Sequence, residues 1–143
     1  PSQPTTSAPV SAAGGRWTEL AVSGPFHSPL MADAARRLRE HLDRVEWRVP
    51  AWPVVANVDA RPYGDRVEAI PQALQAQLVS PVRWVESLRT MAAMGVTHFV
   101  ELGPGRVLSG TVRRTLPDAV VLNVQDPASL EASLARLKGD GLI

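Results

Sequence analysis

One histidine of this chain lies in a segment suited to general acid–base chemistry. His27 stands in the run Ser-Gly-Pro-Phe-His-Ser-Pro-Leu-Met, residues 23–31. The imidazole of histidine ordinarily titrates near pH 6.5, so it can both accept and release a proton around neutrality. The run is rich in turn formers, and loops present reactive side chains more often than the interiors of helices and strands do. His27 is therefore a candidate base, although its spacing alone is more typical of a polar surface histidine.

The other two histidines carry weaker signals. His41 lies among charged residues, a pattern that favours a solvated helix face, and His98 lies in a predicted strand, which favours a packed or edge histidine. The three histidines lack metal-ligand spacing and the chain has no cysteine. We therefore predict no metal site, no disulfide and no thiol nucleophile.

Two elements would position His27. Arg16–Val22 is rich in strand formers, and a helix is predicted from Pro29 to near Trp47, with Ser28 as its N-cap. Apolar residues fall at helical spacing at Leu30, Met31, Ala34, Ala35, Leu38, Leu42 and Val45. His27 is thus expected one residue before a helix, on a loop held at both ends.

The rest of the chain alternates between short apolar strands and amphipathic helices. This alternation predicts an α/β fold with some parallel strand pairing. Gly103-Pro104-Gly105 is interpreted as a strand-to-helix turn, because it lacks the lysine and the spacing of a phosphate loop. Trp47, Trp52 and Trp84 are predicted to be core residues. The predicted elements are a strand at Val54–Val58, a helix at Pro71–Val79, a helix begun by Ser80-Pro81, a strand at His98–Glu101, a helix at Val107–Leu116, a strand at Val120–Val124 and a last helix begun by Asp126-Pro127.

Composition bounds the class of protein. The chain has 143 residues, 45% of them hydrophobic, and a formal charge of +1, which fits one globular domain. A near-balanced charge argues against a general nucleic-acid or membrane-surface binder. Residues 1–15 contain no charge and are dominated by Pro, Ser, Thr, Ala and Gly, so we interpret them as a linker or surface loop. Residues 16–143 would form the folded part.

Four segments together resemble a known family. The run around His27 is similar to the histidine motif of malonyl-CoA:acyl-carrier-protein transacylases and of acyltransferase domains generally. The segments Pro53–Asp59 (PVVANVD), Gln77–Trp84 (QLVSPVRW) and Glu101–Gly110 (ELGPGRVLSG) are similar to that family in the same order and at similar spacing. The resemblance covers roughly Arg16–Leu137.

The resemblance implies a fold and a reaction. The fold would be the second half of a hydrolase-like main subdomain, with the tail of a ferredoxin-like small subdomain at its N-terminus. The reaction would be ping-pong transfer of malonyl from coenzyme A to a serine, and then to the phosphopantetheine thiol of acyl carrier protein, in the cytoplasm. His27 would be the base, the main-chain carbonyl of Gln77 would orient it, and no permanently bound cofactor is expected.

Further site residues follow from the same resemblance. Phe26 beside the base implies malonyl rather than methylmalonyl, because a bulky ring leaves less room for an α-methyl group. Asn57 is a candidate substrate contact at the end of its predicted strand. Arg106, Arg113 and Arg114 are candidates for docking an acidic carrier protein or the coenzyme A phosphates.

One departure from the family limits these expectations. The sequence contains no Gly-His-Ser-x-Gly segment, which carries the nucleophile of the family, and the carboxylate-binding arginine belongs to the same region. The chain thus resembles a C-terminal portion that would be inactive without its N-terminal half. Two alternatives stay open: an acyltransferase unit of a polyketide synthase, and a non-catalytic fragment that only binds a partner chain or a carrier protein.

Overall fold

A computed structural model describes residues 12–14 and 24–143. The predicted strand at Arg16–Val22 and most of the proposed linker lie outside these residues. Within them, a short 3₁₀ helix at Pro29–Met31 leads directly into the first α-helix. The regular elements that follow are α1 (Ala32–Leu42), α2 (Ala69–Gln77), α3 (Trp84–Ala93), β1 (His98–Leu102), α4 (Val107–Thr115), β2 (Val120–Val124) and α5 (Pro127–Gly139).

The two strands form a parallel pair, as the alternation of elements predicts. His98 is opposite Val120 and Leu102 is opposite Val124, so the strands are paired along their full length. The chain passes from β1 to β2 through α4, which packs against both strands, while α5 packs against β2. The result is a β-α-β unit whose strands both end beside the Gly103-Pro104-Gly105 turn.

A second group of helices stands beside this unit. Helix α1 packs on α2, and α3 packs on α4. The indole N–H of Trp84 donates to the Thr111 hydroxyl at 2.8 Å, which ties α3 to α4. Leu88 of α3 is completely buried. The Thr90 hydroxyl of α3 donates to the Ala60 carbonyl at 2.8 Å, so α3 also contacts the turn between α1 and α2.

Helix α1 ends five residues earlier than predicted. The expectation was an end near Trp47, whereas the last helical residue is Leu42. The reason is that the Trp47 indole N–H donates to the Leu42 carbonyl at 2.9 Å, a contact that needs the chain to leave the helical path. Arg44 and Val45 then bond to the carbonyls three residues before them, which tightens the exit.

The predicted strand at Val54–Val58 is also wrong. The chain turns back at once, so Val55 makes only an isolated antiparallel bridge to Pro62. The turn is held by the Ala56 N–H, which donates to the Arg61 carbonyl at 2.8 Å. Ala60 adopts a left-handed backbone with a φ of 58°. Ala56 is buried, but Val54 is 45% exposed, which a central strand would not allow.

Two further expectations need correction. Helix α3 begins at Trp84 and not at Ser80-Pro81, because the Arg83 N–H donates to the Asn57 carbonyl at 2.9 Å and keeps the preceding residues out of the helix. Trp52 is 81% exposed and is not a core residue. Pro53 restricts the backbone of Trp52, which lies in a bend at the surface.

Candidate active site

The turn that carries His27 is held in an uncommon backbone conformation. His27 has a φ of 57°, in the left-handed region that residues with a Cβ seldom occupy. The Ser28 hydroxyl donates to the Pro25 carbonyl at 2.6 Å, and the Met31 N–H donates to the Ser28 carbonyl at 3.0 Å. The first bond closes the turn that contains His27, and the second begins the 3₁₀ helix that follows it. Backbone strain of this kind is concentrated at functional sites, where the surrounding structure enforces it.

Ser28 occupies the predicted N-cap position but does not cap with its side chain. Its backbone is extended, with a φ of −136°, and Pro29 follows at the first helical position. The hydroxyl makes no capping bond to the helix, because it is already turned back to the Pro25 carbonyl. Ser28 therefore shapes the turn around His27, which sequence reasoning missed.

His27 meets the main chain at the end of α2. Its Nδ1 lies 2.9 Å from the carbonyl oxygen of Gln77, fifty residues further along the chain. A carbonyl can only accept, so Nδ1 must carry the hydrogen and donate it. The other ring nitrogen, Nε2, then presents a lone pair. This is the tautomer that a general base needs on the side facing its substrate.

Phe26 is folded against the same turn. Its side chain is 58% exposed, and its ring lies over Gly24. A Cβ added to Gly24 would be 3.3 Å from the ring atom Cζ, closer than most side-chain contacts. The absence of a side chain at Gly24 therefore leaves room for the Phe26 ring, which belongs to the residue before the candidate base.

Asn57 lies at a cavity that no residue of the His27 turn lines. Its carbonyl accepts the Arg83 N–H, and its side chain lines a space of about 320 Å³ between α3, α4 and β1. Trp84, Glu101 and Ser109 line the same cavity. Within the described part of the chain, no hydrogen bond joins Asn57 to His27 or to Gln77. Its proposed role in binding substrate stays a prediction.

The three arginines do not form one cluster. Arg106 precedes α4, whereas Arg113 and Arg114 lie in its last turn. Arg113 donates to the carbonyl of Val121 at 3.0 Å and so holds α4 on β2. Hydrogen bonds from Ser129 hold the pKa of the Asp126 carboxyl below its ordinary value, and the nearby charge of Arg106 lowers it further. All three side chains are exposed, and their docking role stays a prediction.

The Glu101 carboxylate binds the N-terminus of the helix that follows the glycine-rich turn. It accepts the N–H of Leu108 at 3.1 Å, and the N–H and hydroxyl of Ser109 at 2.8 and 2.5 Å. The N-terminus of α4 thus already holds a negative charge supplied by the chain itself. This bonding agrees with the prediction that Gly103-Pro104-Gly105 is a structural turn and not a phosphate loop.

Sequence reasoning missed Glu101, although a signal was present. An acidic side chain at the end of a strand, followed by a tight turn and a helix, lies within reach of the first amides of that helix. The pKa of the Glu101 carboxyl lies below its ordinary value. The main cause is the hydrogen bond from the Ser109 hydroxyl, with further contributions from the two N–H groups and the charge of Arg113.

The remaining histidines are engaged elsewhere. His41 is exposed on α1, and His98 Nε2 lies 3.0 Å from Asp140, beyond the end of α5. The described residues contain no group of three side chains placed to hold a metal ion. None of the described helices is both long and apolar enough to cross a membrane.

Comparison with known proteins gives a consistent result. The chain matches no family model. It is 43% identical over 119 residues to malonyl CoA-acyl carrier protein transacylase of Bacillus subtilis, a match that spans 83% of this chain and 37% of that relative. The chain therefore covers little more than a third of the length of this curated relative.

Solved structures agree with the sequence match. The transacylase of Xanthomonas oryzae superposes with a TM-score of 0.82 at 40% identity, over 91% of this chain and 41% of that one. A malonyl-transacylase solved with its type II polyketide synthase acyl-carrier protein superposes with a TM-score of 0.81 at 41% identity, over 88% of this chain and 41% of that one. In sequence and in its α/β fold, the chain is thus related to the malonyl CoA-acyl carrier protein transacylases, and it corresponds to a part of them.

Proposed function

We propose that the chain supplies the general base of an acyltransferase that moves a malonyl group from coenzyme A to acyl carrier protein. The observation that carries this proposal is the contact of 2.9 Å between His27 Nδ1 and the Gln77 carbonyl. It fixes the imidazole with Nε2 free, in a chain related to enzymes that carry this name. A tautomer fixed in this way is the arrangement that nucleophilic catalysis requires of its base.

The proposed reaction has two half-steps. Nε2 of His27 takes the proton of a serine hydroxyl as its oxygen attacks the thioester carbonyl carbon. The carbon–sulfur bond then breaks, and the imidazolium returns the proton to the departing thiol of coenzyme A. In the second half-step the phosphopantetheine thiol of the carrier protein gives its proton to Nε2, and its sulfur attacks the carbonyl carbon of the acyl-serine. The carbon–oxygen bond to the serine then breaks, and the serine oxygen takes the proton back from Nε2.

Gln77 orients the base without adding a second charge. When His27 is protonated, its Nδ1–H still donates to the carbonyl. A carbonyl cannot take the proton from Nδ1, so the proton gained at Nε2 remains available for the thiol. The contact thus holds the ring in one orientation through both half-steps.

The nucleophile belongs to the part of the enzyme that this chain does not match. None of the chain's serines lies in a Gly-His-Ser-x-Gly segment. We assign the serine, and the arginine that would bind the malonyl carboxylate, to that other part. The reaction itself then needs no permanently bound cofactor. We propose the cytoplasm as the site of action, as the resemblance implies.

The partner of the reaction would be a carrier protein with an acidic surface. Arg106 and Arg114 are exposed and available for such a surface, whereas Arg113 is held by the Val121 carbonyl. The relative solved with its carrier protein belongs to a type II polyketide synthase, and it is as similar to this chain as the other transacylase above. We therefore propose the same reaction for either pathway, with fatty acid synthesis as the first candidate and polyketide synthesis as the alternative.

The test uses what we call the complemented enzyme. It consists of the 143-residue chain together with the portion of the Bacillus subtilis relative that the chain does not match. His27→Ala should lower the rate of malonyl transfer by about a hundredfold or more, as loss of a general base does. His41→Ala, an exposed histidine on α1, is the matched control and should leave the rate unchanged. A folded His27→Ala enzyme that turns over at the normal rate would exclude His27 as the base.

A further inference from the structure

The Gln77 carbonyl is open to His27 because of how α2 ends. Inside an α-helix, each carbonyl accepts the N–H of the residue four positions later. For Gln77 that residue is Pro81, which has no N–H. A carbonyl at this position therefore lacks its helical donor by virtue of the sequence, whatever the length of the helix.

The hydrogen bonds after α2 show the consequence. Leu78, Val79 and Ser80 each donate to the carbonyl three residues before them, at 3.3, 3.2 and 3.4 Å. These are 3₁₀ bonds, and they are longer than the N–H···O distances of about 2.9–3.0 Å that are usual in proteins. The longest of them is the bond from Ser80 to Gln77. The shorter contact of that carbonyl, at 2.9 Å, is with His27.

Proline also restricts the residue before it. The ring of Pro81 disfavours the α conformation at Ser80, so the helix cannot extend past this point without strain. The residues after Pro81 then run outside any helix until Trp84. The end of α2, and with it the direction of the Gln77 carbonyl, is therefore determined within four residues of Gln77.

We propose that Pro81 is the positioning residue for the base. By withholding a backbone N–H, it leaves the Gln77 carbonyl for His27 Nδ1 and so selects the tautomer with a free Nε2. Pro81 does not touch the reacting atoms and acts only through Gln77. This inference rests on the proposed function for its kinetic consequence, but the hydrogen bond that it explains exists independently of any activity.

The first test replaces Pro81 in the complemented enzyme. In Pro81→Ala the new N–H competes with Nδ1 for the Gln77 carbonyl. We expect kcat to fall about ten- to a hundredfold with little change in KM for malonyl-CoA, since misplacing a catalytic group by 1 Å costs up to about a hundredfold. The ¹⁵N shifts of the His27 ring should change together, from a protonated Nδ1 toward a mixture of tautomers. Wild-type shifts and rate in Pro81→Ala would overturn the proposal.

Two control variants separate the missing N–H from other effects of proline. A variant with L-lactic acid at position 81 has an ester oxygen where alanine has its N–H, and it also lacks the ring. It should keep the wild-type ¹⁵N shifts and a rate within a few-fold of wild type. A loss equal to that of Pro81→Ala would instead assign the effect to the ring and contradict the proposal. Pro117→Ala changes the proline that follows α4 and should leave the His27 signals unaltered.

The same measurements distinguish failure of this inference from failure of the proposed function. If His27→Ala retains activity, the proposed function falls, yet the His27 ring shifts in Pro81→Ala still report whether Pro81 controls the contact. If His27→Ala is inactive while Pro81→Ala has normal shifts and rate, the proposed function stands and this inference falls.

Discussion

The side chain of Phe26 is the residue-scale feature that could set which acyl group the enzyme accepts. Its ring lies over Gly24, Phe26 directly precedes His27 in the chain, and more than half of its surface is exposed. In the proposed reaction this ring would occupy space next to the carbon that bears the carboxylate. A methyl branch there would meet the ring, so malonyl should be preferred to methylmalonyl.

Phe26→Ala in the complemented enzyme should weaken this preference. One methyl group in a pocket is worth about 1–3 kcal/mol, or roughly 10- to 200-fold in specificity. We expect the ratio of kcat/KM for malonyl-CoA over methylmalonyl-CoA to fall by a factor in that range, mainly because methylmalonyl-CoA improves. The matched control is Leu30→Ala, an exposed apolar residue on the following 3₁₀ helix, which should leave the ratio unchanged. An unchanged ratio in Phe26→Ala would show that another residue sets the preference.

At the residue scale, the sequence indicates the site but not its geometry. The motif around His27 points to the base, and the resemblance points to the Gln77 carbonyl. Neither indicates that His27 adopts a left-handed backbone, because a positive φ is uncommon for any residue with a Cβ, even though histidine adopts it more often than most. Ser28 shows the same limit, since its type predicts a cap and its hydroxyl instead closes the turn.

Among the elements, the junction of β1 and α4 depends most on charge. The Glu101 carboxylate at the end of β1 accepts three hydrogen bonds from the first turn of α4. These bonds favour the ionised form and keep its folded pKa below the ordinary value. A lowered folded pKa stabilises the protein above the unfolded pKa of about 4.3. That contribution is lost as the pH falls through the folded value.

Glu101→Gln should therefore lower the midpoint of thermal unfolding at pH 7. The difference in midpoint between the variant and the wild type should become smaller as the pH falls below about 4. Glutamine keeps the size of the side chain but offers one acceptor oxygen and no charge. Thermal unfolding of the complemented enzyme, followed by circular dichroism at several pH values, measures this. Glu131→Gln on the exposed face of α5 is the control. A Glu101→Gln difference in midpoint that stays constant as the pH falls from about 5 to about 2 would contradict the role of the charge.

Elements defined by local signals are predicted well. Strand β2 has the predicted bounds, and α5 begins at Asp126-Pro127 with a capping box between Asp126 and Ser129. Elements whose ends are set by side-chain or long-range hydrogen bonds are predicted badly. Helix α1 is ended by the Trp47 indole, five residues past Leu42, and α3 is delayed by the Asn57 carbonyl, which lies 26 positions before Arg83. Such hydrogen bonds leave no trace in local periodicity.

At the scale of the whole molecule, the described residues bury little of their apolar surface. Leu88 is the only large hydrophobic side chain among them that is below 2% exposure. Leu102 and Val107, at the ends of β1 and the start of α4, are each 77% exposed, and Val100 in β1 is 41% exposed. Parallel sheets are ordinarily covered on both faces. The chain also spans only 37% of its relative from Bacillus subtilis. We expect a portion equivalent to the rest of that relative to cover this surface.

The 143-residue chain by itself should therefore associate or aggregate. Exposed apolar side chains on a short parallel sheet are a surface for self-association. Mixing it with the unmatched portion of the Bacillus subtilis relative should yield a complex of one copy of each. Light scattering coupled to size exclusion measures this. Leu102→Lys should raise the solubility of the chain alone and weaken the complex. A monodisperse, stable monomer of the chain alone would contradict the expectation.

The proposed function is tested most directly by identifying the polypeptide to which a labelled malonyl group becomes attached. Radiolabelled malonyl-CoA is added to the 143-residue chain alone, to the complemented enzyme, and to the complemented enzyme carrying His27→Ala. The two polypeptides are then separated under denaturing conditions. We predict no label on the chain alone, label on the complementing portion in the complete mixture, and about a hundredfold slower labelling with His27→Ala. A stable malonyl adduct on the 143-residue chain would mean that one of its own serines is the nucleophile, and the assignment of its role would be wrong.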